Sequence, residues 1–289
     1  MTSYLMNEQA VGSILPEPFT VNLTDRLSVR LYGDCRPKCL ETAPLQKGLV
    51  LVLDGEELIE EGVGFGVPVA KYQDKTFFAS SAALSVKETG GRVQKITKTY
   101  FMDTVSRKKL SNGRYIDDGL YSFVRKRFAK LYLSKKSLSP FFNRLMELRD
   151  VARVQTAFVK LKPRGSVVVD YECHPTGVNV KADFSNLKIG GCEEILVLNE
   201  QGSNIFQKYA DTSGLTLVCN GIGAWDAVAA RRASLLSPTG HVSFSLHNSK
   251  DATLFRGWER TRNRFSWAGL SYSLRPNRGT FQYSIQVKT

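Results

Sequence analysis

Histidine is scarce in this chain, with three among 289 residues, and the five cysteines are an odd number. An odd count in a long chain does not fit the disulfide framework of a small secreted fold, so reduced thiols are expected. No G-x-S-x-G elbow occurs, because the 211–214 segment lacks the leading glycine, and no P-loop or glycine turn between a strand and a helix is present. Serine nucleophiles and nucleotide binding by those motifs are therefore excluded. Long apolar runs are also missing: the longest is about half a dozen residues, near 49–53, where a membrane helix needs roughly twenty. The first sixteen residues carry Glu8, no basic cluster and no leader-like apolar core, which predicts a cytoplasmic protein without membrane association.

Charge is plentiful and unevenly placed. The formal total is +13, from 40 Lys+Arg against 27 Asp+Glu. By segment, the net is −4 over 1–91, +14 over 92–164, −5 over 165–230 and +7 over 231–278. Two basic blocks between acidic ones suggest one or two cationic surfaces, with solvated lysine-rich faces as the competing reading.

Most of the chain alternates with the period of two that places successive side chains on opposite faces of a strand. About fifteen short strands are expected, among them 19–32, 49–53, 166–172, 177–184, 194–198, 215–219, 233–237, 241–247 and 269–274. Phe281, Tyr283, Ile285 and Val287 close the chain in unbroken alternation, and Asp54-Gly55 is a hairpin turn signal. Gly62, Gly64 and Gly66 leave one side of a strand bare, so that another backbone or ring can approach closely.

One stretch has helical spacing instead. Leu120, Phe123, Val124, Phe128 and Leu131 recur at three and four, with Arg125, Lys126, Arg127 and Lys130 between them. Ser139-Pro140 then starts a second helix carrying Phe141, Phe142, Leu145, Met146 and Leu148. A shorter helix is expected over 224–230. The expected fold is mainly β: one domain over 1–289, a large two-sheet antiparallel sandwich with a basic helical hairpin inserted near 118–152.

Three groups could carry function. On a strand, Glu172 and His174 share a face about 7 Å apart, a usable acid/base pair for catalysis. Arg256, Trp258, Arg260, Arg262 and Arg264 project from one face if extended, which suits forked hydrogen bonds to carboxylate, sulfate or phosphate beside a flat ring. The competing reading pairs these arginines with the acidic blocks. Arg125, Lys126, Arg127 and Lys130 offer an alternative polyanion surface. Cys35, Cys39, Cys173 and His174 can be drawn as a zinc set, but adjacent Cys-His side chains leave a strand on opposite sides, so no metal and no cofactor is expected.

The short strands, the glycine-spaced segment 61–68 and the closing segments 270–274 and 281–287 resemble the galactose-mutarotase-like and polysaccharide-lyase β-supersandwich group. That resemblance implies a carbohydrate-binding or carbohydrate-processing protein with a histidine and an acidic residue in a sheet concavity. Its counterparts by residue type are Glu172 and His174, His241 or His247; no motif transfers their roles. The leading expectation is thus a carbohydrate protein, with an anionic glycan favoured by the arginine row. The alternatives are a non-enzymatic polyanion (nucleic acid) binder using the helical hairpin, and a structural partner-binding module using its apolar stripe.

Overall fold

The computed structural model describes residues 18–33, 46–59, 62–73, 75–89, 92–109, 115–116, 155–260 and 266–289. The expected helical hairpin at 118–152 lies outside them. The described elements are all strands: β1 Phe19–Asn22, β2 Leu27–Leu31, β3 Val50–Leu53, β4 Glu56–Glu57, β5 Gly64–Tyr72, β6 Lys75–Thr89, β7 Arg92–Lys109, β8 Tyr115–Ile116, β9 Gln155–Lys160 and β10 Ser166–His174. They continue with β11 Gly177–Asp183, β12 Cys192–Gln201, β13 Lys208–Asp211, β14 Thr216–Val218, β15 Gly221–Ala227, β16 Arg232–Leu236, β17 Ser243–His247, β18 Thr253–Arg260, β19 Ser266–Leu274 and β20 Thr280–Lys288. No described helix is long and apolar enough to cross a membrane.

Strands β1 to β4 make a small antiparallel sheet, and the other sixteen belong to one sheet. Its path runs β14-β13-β16-β17-β20-β11-β10-β7-β6-β5-β12-β19-β18-β15, with β8 and β9 also on β7. This path cannot lie flat. Tyr272 of β19 and Tyr283 of β20 are seven steps apart along it, roughly 34 Å at the usual strand spacing. Their ring centroids are 4.9 Å apart. Phe65 of β5 likewise meets Phe244 of β17 at 5.0 Å. The sheet is therefore doubled over, and its apolar face is buried between its own two halves. Its two ends, β14 and β15, are joined by only Cys219 and Asn220. The mainly antiparallel β architecture is as expected; its layers come from one continuous sheet.

Period-two alternation explains which side chains go in. Val167, Val169 and Tyr171 on β10, Val178, Val180 and Ala182 on β11, and Phe281, Tyr283 and Ile285 on β20 are buried, while the residues between them face outward. The small sheet docks on the inner side. Gln201 of β12 accepts from Leu51 N and donates to Leu49 O, and the buried ammonium of Lys98 donates to the carbonyls of Tyr32 and Lys47 at 2.6 and 2.7 Å.

The short helix expected over 224–230 is not formed. Residues 221–227 are strand β15, paired with β18 through Gly221↔Arg260 and Gly223↔Trp258, with a bulge before Asp226↔Arg256. The Trp258 ring occupies the space a Cβ at Gly223 would need. Tertiary pairing against that ring overrides a local pattern that reads equally well as helix.

Candidate functional site

The outward residues of four neighbouring strands converge on one depression of about 500 Å³, lined by Lys95, Asp170, Glu172, Asn179, Lys181, Gln282 and Ser284 together with parts of Val180 and Tyr283. Strand register builds it. Across the sheet, Thr97, Asp170, Lys181 and Gln282 form one row through successive Cα pairs. Glu172, Asn179 and Ser284 form the next, one pleat repeat away. His174 lies one repeat further, in the row His174, Gly177 and Gln286.

Several of these groups are already oriented. Asp170 accepts from the Thr97 hydroxyl at 2.6 Å and pairs with Lys95 at 2.6 Å. Ser284 Oγ donates to Asn179 Oδ1 at 2.6 Å, and His174 Nδ1 lies 3.2 Å from the Thr176 hydroxyl. Lys95 and Lys181 balance Asp170 and Glu172, so the formal charge of the lining is zero. Small-molecule pockets are mostly apolar. A lining this polar suits a ligand that brings its own donors and acceptors.

The arginine row behaves differently. Arg256 and Trp258 share one face of β18, but that face turns into the space between the sheet halves. Trp258 is 9% exposed and donates from Nε1 to Asn220 O at 3.4 Å. The Arg256 guanidinium stacks over Tyr209 at 4.7 Å and pairs with Asp226 at 3.8 Å. Arg260 is half-buried at the end of the same strand. Arg262 and Arg264 lie outside the described residues, as do Arg125, Lys126, Arg127 and Lys130. Arg256 and Trp258 are thus separate from the depression, and among the described residues only Glu172 and His174 of the expected site lie on the polar outer face.

No group of three or more metal-ligating side chains occurs among the described residues. Cys35 and Cys39 fall outside them. Cys173 turns inward, where burial pushes its thiol up to about 12, while His174 turns outward.

Sequence reading missed Glu200. It is buried on β12, and its carboxylate accepts from Val63 N at 3.2 Å. On the same outer side, Trp225 covers Gly257 and Gly269 and stacks on Trp267 at 5.1 Å. Burial raises the Glu200 carboxyl to about 7, opposed by the Val63 amide and assisted by Glu259. The folded chain thus keeps this proton up to about pH 7, whereas the unfolded chain releases it near 4.5. Stability from this group is full below 4.5 and falls as pH rises through 7. Relative to Glu200→Gln, the wild-type chain should lose about 3 kcal/mol between pH 4.5 and 8, measured by urea unfolding. A difference that stays constant with pH contradicts this.

No protein-family model and no curated protein matches the chain. Among solved structures it is similar to an Escherichia coli K12 protein described as a candidate aldose 1-epimerase, at 9% identity and TM-score 0.44, covering 94% of this chain and 98% of that one. It is also similar to a galactose mutarotase-like protein from Lactobacillus casei ATCC 334, at 10% identity and TM-score 0.41, covering 94% and 99%. A glycoside hydrolase family 97 enzyme from Pseudoalteromonas sp. strain K8, solved with acarbose, matches at 13% identity and TM-score 0.41, covering 93% of this chain and 35% of that one. The structural resemblance thus includes mutarotase-like proteins, as the strand pattern does. At these identities and scores it assigns no family and no activity.

Proposed function

We propose that the protein binds a carbohydrate in the depression on the outer face of β7, β10, β11 and β20, and processes it by proton transfer. The observation that supports this reading is the two-row grid: Asp170, Lys181 and Gln282 beside Glu172, Asn179 and Ser284 offer both donors and acceptors on a rigid sheet. A polyhydroxylated ring satisfies such a surface, because each hydroxyl both donates and accepts. Glu172 and His174, about 7 Å apart along β10, then stand as the acid/base pair across a bound sugar. The continuous sheet path through β5 to β20 favours treating the chain as one domain.

The lining's zero formal charge favours a neutral sugar over the anionic glycan expected from the arginine row. Calorimetric titration with neutral and uronic oligosaccharides tests this. Neutral sugars should bind, and Gln282→Leu should weaken that binding about tenfold, the loss expected for unpaired polar groups at a ligand. Binding of uronic sugars alone, or of none, contradicts the reading.

A further inference from the structure

A second depression, of about 460 Å³, lies where the β9–β10 connection crosses the β11–β12 connection. Lys75, Lys162, Arg164 and Lys188 line it with Phe77 and Leu161, and among the described residues no carboxylate does. None of these four cations makes an ion pair with a described residue.

The walls are built rather than fortuitous. Arg164 N donates to Met102 O and Lys188 N to Arg164 O, both at 2.8 Å, so the two connections are stitched together. Gly165 permits this crossing: its φ is +102°, and a Cβ there would sit 2.0 Å from Asn186 O. The Tyr72 hydroxyl holds Lys188 O at 2.6 Å. The Arg164 guanidinium rests over the Tyr72 and Phe77 rings at 4.7 and 5.2 Å, which fixes its plane while leaving its N–H groups for a guest.

We infer that this depression is a binding site for a small molecule carrying a diphosphate, distinct from the polar depression on the outer sheet face. Four positive charges with no countercharge among the described residues favour a multiply charged anion over a monoanion. The volume exceeds what one phosphate fills, and Phe77 and Leu161 provide an apolar wall for an organic substituent.

Calorimetry and thermal melting of the full chain with inorganic pyrophosphate, inorganic phosphate and sodium chloride at equal ionic strength test the assignment. Pyrophosphate should bind saturably, about tenfold more tightly than phosphate, and chloride should give no saturable effect. Adenosine diphosphate carries the same group: tighter binding than pyrophosphate assigns Phe77 and Leu161 to the organic part, and equal binding assigns the site to the free anion. Arg164→Gln combined with Lys188→Gln should abolish pyrophosphate binding, and Lys87→Gln, an exposed lysine on β6, should not change it. If the double variant does not fold, exposed Lys162→Gln alone should weaken binding several-fold. Equal effects of chloride and pyrophosphate, or undiminished binding by the variants, overturn the inference.

Discussion

Glu172→Gln and His174→Asn are each expected to slow proton-transfer turnover of a bound sugar by about 10²–10⁴-fold, the usual weight of a positioned general acid or base. Interconversion of sugar anomers, followed by polarimetry, is the simplest such reaction to measure. Glutamine keeps the size of Glu172 and its place opposite Asn179, so binding should survive while the acid/base carboxyl is lost. His174 is aimed by its contact with the Thr176 hydroxyl, and asparagine retains polarity without the imidazole. The double variant should lose little more than the worse single one, because the two groups act on one transition state. Glu172 is exposed and His174 partly so, which should leave unfolding free energies within about 0.5 kcal/mol of wild type. Unchanged turnover in both variants contradicts the assignment of roles.

Gly66→Ala should destabilise the fold by about 3–5 kcal/mol, combining backbone strain with loss of buried hydrogen bonds. Gly66 lies within β5 at φ +76°, and a Cβ there would stand 2.6 Å from the Tyr171 hydroxyl. That hydroxyl donates to Phe65 O at 2.9 Å and lies 3.2 Å from the Tyr100 hydroxyl. Gly66 N donates to Asn199 Oδ1 at 3.0 Å, and the same oxygen accepts from Tyr283 at 2.7 Å. One added methyl therefore strikes the polar network that ties the two halves of the doubled sheet together. Burial raises the Tyr171 and Tyr283 hydroxyls well above their ordinary range, so both remain neutral donors at any usable pH. In a Tyr171→Phe background the Gly66→Ala cost should shrink but not vanish, because the nearest struck atom is gone while ring carbons at 2.9 and 3.1 Å remain. Urea unfolding of the four chains measures this. Full additivity, or a cost below about 1 kcal/mol in the wild-type background, contradicts the network's role.

How much of this was legible varies by residue. The alternations at 166–172 and 281–287 set both the strands and their buried faces, and the glycine spacing at 62, 64 and 66 predicted close approach. Gly64 indeed abuts Gly48 and Leu49, and Gly66 abuts Tyr171. The long β6–β7 hairpin was not read. Lys98 puts a charge at an inward position, where its ammonium finds the carbonyls of Tyr32 and Lys47, which flank strands of the small sheet and are distant in sequence. The depression was legible only through Glu172, with His174 two residues on and one pleat repeat beyond it. Its other members, from Lys95 to Ser284, meet through strand order and register, which depend on ladders between strands far apart in sequence. For Arg256 and Trp258 the shared strand face was legible, but not the sheet's doubling, which turns that face toward the interior. Trp225 reached its place through the β15 bulge, a feature with no sequence signal here.

Amide chemical-shift mapping during titration with a neutral oligosaccharide tests the proposed sugar site most directly. The expected result is saturable shifts clustered at Asp170, Glu172, Asn179, Lys181, Gln282 and Ser284, with Arg164, Lys188, Trp225 and Trp267 unmoved. Shifts confined to the tryptophan pair or to the arginines of β18, with the β10–β11–β20 face silent, would contradict it.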